Sequence, residues 1–206
     1  MLVSQLTNTL TCYRASEMTD LIRSTGKRER LIESAKTLIH EQGVHPTTLA
    51  DVAKRADVPP GNVYYYFKTK EDLIRAVVDD YLDDADTMLA GLDRLRSPQA
   101  RLKGLTRSWL DIADTVAEHG CPVGSLCLEL NKCGGEMREA GAEILGRVTA
   151  WAETQFRRLD RRDARDLAIA LLAGIQGSAL LANTFHDATI MARQARYLEK
   201  WIDSLA

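Results

Sequence analysis

Residues 47–73 read T-T-L-A-D-V-A-K-R-A-D-V-P-P-G-N-V-Y-Y-Y-F-K-T-K-E-D-L, and this stretch decides the fold. Thr47 or Thr48 is placed to cap a helix of two turns whose apolar face is Leu49, Val52 and Ala53. Asp57-Val58-Pro59-Pro60-Gly61 interrupts it, a very short helix spans Asn62 to Phe67, and Thr69 caps a long helix that begins Lys70-Glu71-Asp72-Leu73. Two short helices joined by a tight break fit a helix-turn-helix, whose second helix enters the DNA major groove. Pro60, Gly61 and Asn62 open that helix with little side-chain bulk, which lets backbone approach bases or phosphates closely. Tyr64 and Tyr65 project from successive positions, and Lys68 and Lys70 flank the helix end as phosphate neutralisers. Val63 and Phe67, four apart, point inward, and Tyr66 is equally well read as a half-buried residue.

Upstream, Leu31, Ile32, Ala35, Leu38 and Ile39 recur at helical spacing and stop at Gly43, which supplies the first of three head helices. Residues 1–25 are rich in Ser and Thr without sustained periodicity, so they read as a flexible arm, or as upstream sequence if the start is Met18. Downstream, the chain is helix after helix. One runs from Ser97-Pro98 to about Glu118, and Pro122 opens another that stops at Gly134-Gly135. Glu136 to about Leu159 is amphipathic, Asp163 to about Phe185 is almost wholly apolar, and Thr189 to Leu205 closes the chain. No alternating strand runs are present, so the fold is all-α. The expected organisation is a flexible arm over 1–25, a three-helix helix-turn-helix domain over 26–73 and a helical ligand-binding and dimerisation domain over 74–206.

The chain resembles the TetR/AcrR family of bacterial transcriptional regulators. The family pattern is met at Thr48, Val52, Ala53, Ala56, Val58, Gly61, Val63, Tyr64, Tyr66, Phe67, Lys70 and Leu73. Two positions depart from it. Asp57 stands where the turn glycine is usual and so should be left-handed, and Pro59 replaces the usual capping serine. The resemblance implies DNA-contact roles for Thr48, Gly61, Asn62, Tyr64, Tyr65 and Lys70, with Lys68 the weaker carry-over; Pro60 joins the DNA-binding candidates from its place at the helix start. It implies a homodimer on a pseudo-palindromic operator in double-stranded DNA, and a small-molecule inducer bound by the C-terminal helices that moves the two heads apart.

The C-terminal sequence accommodates both roles. Small residues crowd the apolar helix 163–185 (Ala168, Ala170, Ala173, Gly174, Gly177, Ser178, Ala179, Ala182), as close packing of helices across a dimer or within one subunit needs. Candidate ligand-binding residues are Trp109, Ile112, Leu126, Cys127, Leu130, Trp151, Gln176 and Asn183, suiting a mainly hydrophobic inducer. Gln176 and Asn183 share a face, and a buried amide must find a partner in protein or ligand.

Other readings are weaker. Cys121, Cys127 and Cys133 are six apart, so neighbours lie about 120° apart around a helix and cannot gather on one metal from one helix. They leave a thiol-based redox or electrophile sensor as the alternative regulator, with Cys121 beside the helix-opening Pro122. A small helical enzyme is the alternative of another class. No phosphate loop, dinucleotide fingerprint or nucleophile elbow accompanies it, the four histidines are scattered, and no cofactor or metal is implied. Asp79, Asp80, Asp83, Asp84 and Asp86 read as a solvated acidic face. The start lacks a signal peptide, no window approaches the ~20 apolar residues of a membrane span, and no disulfide framework is present, so a cytoplasmic protein without membrane partners is expected.

Composition agrees with a globular chain: 206 residues, 45% apolar and 27% charged, too apolar for disorder and too poor in cysteine for a disulfide scaffold. The net charge of -2 is unpromising for a DNA binder until it is divided. Residues 27–70 carry eight Lys/Arg against five acids, a net +3, and residues 71–93 carry one Arg against eight acids, a net −7. The basic end is the one placed to meet phosphate.

Overall fold

The computed structural model describes residues 26–205, so the arm over 1–25, with Met18 and Cys12, lies outside the described residues. The helices are α1 (Lys27–Gln42), α2 (Leu49–Arg55), α3 (Pro60–Tyr66), α4 (Lys70–Leu92), α5 (Pro98–Ser108), α6 (Ala113–His119), α7 (Pro122–Cys133), α8 (Gly135–Arg157), α9 (Ala164–Phe185) and α10 (Thr189–Asp203). A 3₁₀ turn, Leu110–Ile112, lies between α5 and α6. Among the described residues there is no strand, so the chain is all-α.

Two compact units divide the chain without following its order: residues 26–82 with 125–142, and residues 83–124 with 143–205. The first takes in residues 74–82 and 125–142 in addition to the head read from the sequence.

In the first unit, α1 buries Leu31, Ile32, Ala35 and Ile39 and ends where Gly43, at φ 91°, returns its N–H to the Ile39 carbonyl. Leu38, expected on the same face, is only partly buried. The choice of cap for α2 falls on Thr48, because Thr47 is buried and donates its hydroxyl to the Gly43 carbonyl instead. After α2, Asp57 is left-handed at φ 52°, as expected for a residue in the place of a turn glycine. The Val58 N–H returns to the Ala53 carbonyl at 3.0 Å and the Asp57 N–H to the Lys54 carbonyl at 3.4 Å, the paired bonds of a Schellman stop. α3 begins at Pro60, two residues before the expected Asn62, because proline at the first helical position has no N–H to leave unpaired. It ends at Tyr66, with Phe67 extended beyond it. Thr69 caps α4 through a reciprocal pair with Asp72, 3.1 Å from the Asp72 N–H and 3.0 Å back from the Thr69 N–H.

In the second unit, Leu102, Leu105, Val116, Phe156, Leu171 and Ile202 are completely buried in one core, and α9 packs on α6 and α10. The single helix expected to run to about Glu118 is broken at Trp109. Ser108 donates its hydroxyl to the Leu105 carbonyl at 2.7 Å, the acceptor that a continuing α-helix would offer to the Trp109 N–H.

α9 corrects the expectation about apolar length: Ala164–Phe185 is long and apolar enough, by length and composition, to cross a membrane. Its apolarity has two sources in this fold. One face, with Ala168, Leu171, Leu172, Ile175, Ala179 and Ala182, is buried in the core. The other carries Ile169, Leu180, Leu181 and Phe185 exposed. The small residues divide in the same way. A Cβ on Gly174 would lie 3.0 Å from Gln194 and 3.1 Å from Leu198, so this glycine serves packing against α10 of the same chain. A Cβ on Gly177 would meet nothing within 4 Å, and Ala170 and Ala173 are exposed.

Candidate nucleic-acid interface and ligand region

The break between α2 and α3 makes a short helix whose two faces are separated cleanly. Val63 is 1% exposed and Phe67 3%, and they hold α3 from inside. Tyr64 and Tyr65 stand out at 56% and 77% exposed, while Tyr66 is half-buried and meets the Tyr65 ring edge-on at 5.1 Å. Two large aromatic rings held in water by a packed helix are unusual unless they meet a partner. Pro60 and Gly61 are exposed and Asn62 is half-buried at the start of the same helix. A Cβ on Gly61 would meet no atom within 4 Å, so packing within the chain does not require a glycine there.

Thr48 is exposed and engaged. Its hydroxyl accepts the Asp51 N–H at 3.1 Å and donates to Asp51 Oδ2 at 2.6 Å, while the Thr48 N–H also donates to Oδ2 at 3.1 Å. These donors, the hydroxyl first, hold the Asp51 carboxyl below its ordinary range. Lys68 is exposed, and its Nζ donates to the Tyr64 carbonyl at 2.7 Å. Lys70 Nζ donates to the His45 carbonyl at 2.9 Å. Both ammonium groups thus occupy backbone acceptors, although each retains donors for a further partner.

One contact of this unit had no signal in the sequence, because α7 is some eighty residues away along the chain. The Val44 N–H, in the corner between α1 and α2, donates to Glu129 Oε2 at 2.7 Å.

The eight ligand candidates fall in both units. Leu126 and Leu130 are buried in the first, where Cys127 Sγ donates to the Gly141 carbonyl at 3.0 Å. In the second unit Ile112 and Trp109 are buried, and Trp109 lines a hollow of about 10 Å³ with Thr106, Ile175 and Leu198, room for one water. Trp151 Nε1 donates to Asp93 at 3.2 Å, and Asn183 Nδ2 donates to the Ala117 carbonyl at 3.3 Å, so both have found protein partners. Gln176 has not: its Nε2 is buried without a hydrogen-bond partner, and a Cβ on Gly124 would lie 2.6 Å from its Oε1.

The cysteines among the described residues form no disulfide and differ in access. Cys121 is buried, with its Sγ accepting the Gly124 N–H at 3.4 Å; Cys127 is partly buried; Cys133 is exposed. The acidic residues of α4 are partly used as ion pairs, Asp80 with Lys36 and Asp86 with Arg147, each at 2.5 Å. Among the described residues no three His, Cys, Asp or Glu side chains converge as a metal site.

Residues 31–77 match the family described as bacterial regulatory proteins, tetR family. Residues 98–197 match the C-terminal domain of LmrA/YxaF-like transcriptional regulators. The HTH-type transcriptional regulator LmrA of Bacillus subtilis is 31% identical over 170 residues, covering 79% of this chain and 89% of that protein. A second HTH-type regulator, in the lacX 3' region of Lactococcus lactis, is 28% identical over 171 residues, 80% of this chain and 87% of its own. The crystal structure of a TetR transcriptional regulator from Legionella pneumophila superposes with a TM-score of 0.77 at 17% identity, covering 85% of this chain and 97% of that one, a likeness of fold. With the family match over residues 31–77 and a regulator 31% identical over 79% of this chain, the chain belongs to the TetR family of bacterial transcriptional regulators.

Proposed function

We propose that this regulator is a cytoplasmic homodimeric repressor. It binds a pseudo-palindromic operator through α3 and is released by a small, mainly hydrophobic inducer held among the C-terminal helices. The observation that carries the reading is the outer face of α3. Tyr64 and Tyr65 are exposed there beside Gly61, whose missing side chain leaves open space that the chain itself does not need. A helix offering aromatic hydroxyls and bare backbone is suited to the major groove, where phosphate contacts set register and side chains read base edges. Thr48, Pro60, Asn62, Lys68 and Lys70 surround that face in contact roles. Domain boundaries near 26–73 and 74–206 follow as the division of labour.

Two copies of the chain would meet through the exposed side of α9, where Ile169, Leu180, Leu181 and Phe185 lie in water in the single chain, together with Tyr197 on α10. For the inducer, the unpaired Gln176 amide is the donor most in need of a partner, and Trp109 and Ile112 provide apolar surroundings in the same unit. A regulatory role involves no turnover by the chain itself.

The test is selection of duplexes from a random pool by the purified protein. Recovery of a palindromic consensus bound with steep salt dependence is the expected result. Recovery of no sequence preference would sink the reading.

A further inference from the structure

We infer that Glu129 is a positioning residue for the reading head, acting through the corner by which the chain enters α2; this rests on the DNA-reading role proposed above. The Glu129 carboxylate, on α7, accepts the Val44 N–H at 2.7 Å. Val44 is 5% exposed, so its N–H has little access to water as a substitute acceptor. The carboxylate reaches this N–H because the preceding residue is glycine. A Cβ on Gly43 would lie 3.1 and 3.2 Å from the two carboxylate oxygens, and Gly43 also holds the positive φ of 91° that turns the chain.

The same corner is gripped at its next residue by Lys70, whose Nζ takes the His45 carbonyl. It is closed internally by the Thr47 hydroxyl on the Gly43 carbonyl and by Gln42 Nε2 on the Thr47 hydroxyl at 3.2 Å. Four residues after Val44, Thr48 starts α2, on which α3 packs. The Glu129 carboxylate is thus bonded to Val44 rather than to a residue of the proposed interface, and it anchors the peptide from which α2 is launched. Base reading tolerates little misplacement, whereas non-specific attraction to phosphate depends on charge rather than register. Loss of the anchor should thus weaken specific binding selectively.

The experiment uses the full chain and a duplex that the wild-type protein itself selects from a random pool. Glu129→Leu should bind that duplex at least tenfold more weakly, while affinity for an unrelated duplex stays within about twofold and Val44 amide exchange accelerates. Glu129→Gln, which keeps an acceptor oxygen at the same reach, should stay within about threefold of wild type with Val44 still protected. Wild-type specific affinity in Glu129→Leu would overturn the inference, as would a Gln variant as weak as the Leu variant. Should Glu129→Leu lose its cooperative thermal transition, Glu129→Asp, one carbon short of Val44, replaces it with the same expected loss and the same overturning result. If wild-type protein selects no duplex, the proposed DNA reading falls, and this inference falls with it.

Discussion

Thr48 and Asp51 bond reciprocally at the start of α2: hydroxyl to carboxylate at 2.6 Å, and one backbone N–H in each direction at 3.1 Å. The residue that family resemblance offers to DNA is thus already the cap of its own helix. A phosphate taking the hydroxyl proton must compete with Asp51. Thr48→Ala should lower stability by about 1 kcal/mol and weaken specific DNA binding as well, whereas Thr48→Ser keeps the hydroxyl and both properties. Urea unfolding and fluorescence anisotropy separate the two effects.

The same pair sets a pH dependence. Hydrogen bonds from Thr48 lower the Asp51 carboxyl in the folded chain below its ordinary 3.8. A lowered folded value means that the contribution is present above 3.8 and is lost as pH falls through the folded value. Asp51→Asn keeps an acceptor without the titration. Its stability deficit relative to wild type should be largest near neutral pH and close as pH falls below 3.8, measured by thermal melts across that range.

Tyr64 and Tyr65 are exposed enough for their removal to leave the fold alone. Tyr64→Ala should change stability by less than about 0.5 kcal/mol. Binding to a selected duplex should fall at least tenfold in a gel-shift assay. Unchanged binding would remove Tyr64 from the interface and leave Tyr65 as the aromatic to test.

Gly124 and Gln176 are coupled by lack of space. A methyl on residue 124 would arrive 2.6 Å from Gln176 Oε1, and that amide already has its nitrogen buried without a partner. The clashing oxygen ends a flexible side chain, and alanine gains up to about 1 kcal/mol of helix propensity in α7, so Gly124→Ala should stay within about 1 kcal/mol of wild type. In a Gln176→Ala background the clash is gone and Gly124→Ala should be more favourable than in the wild-type background, giving a non-additive double-mutant cycle in urea unfolding. Additive effects would show that the two side chains do not interact.

The exposed apolar side of α9 predicts an assembly. Leu180→Glu combined with Phe185→Glu places charge at two side chains that are 66% and 65% exposed in the single chain, so the subunit should remain folded. Light scattering should report a dimer for wild type and a monomer for the double variant, with specific DNA affinity lost alongside. A dimer that survives both charges would place the contact elsewhere.

Local chemistry is what the sequence by itself determined. Thr48, Asp57, Pro60 and Thr69 set their caps and turns through bonds within a few residues, so the helix-turn-helix is legible from residues 47–73 alone. The same holds for Val63 and Phe67 inside and Tyr64 and Tyr65 outside, because a short helix packed on one side leaves its other face in water. Tertiary structure decided everything that needs a distant partner. It joined residues 125–142 to the head unit, although chain order assigns them to the C-terminal region, and it brought Glu129 to Val44. It gave Trp151 and Asn183 protein partners and left Gln176 Nε2 with none. It also split the small residues of α9 between the chain's own core and open surface, which a uniformly apolar helix conceals. Spacing along the chain specifies which side chains share a face; only packing specifies what that face meets.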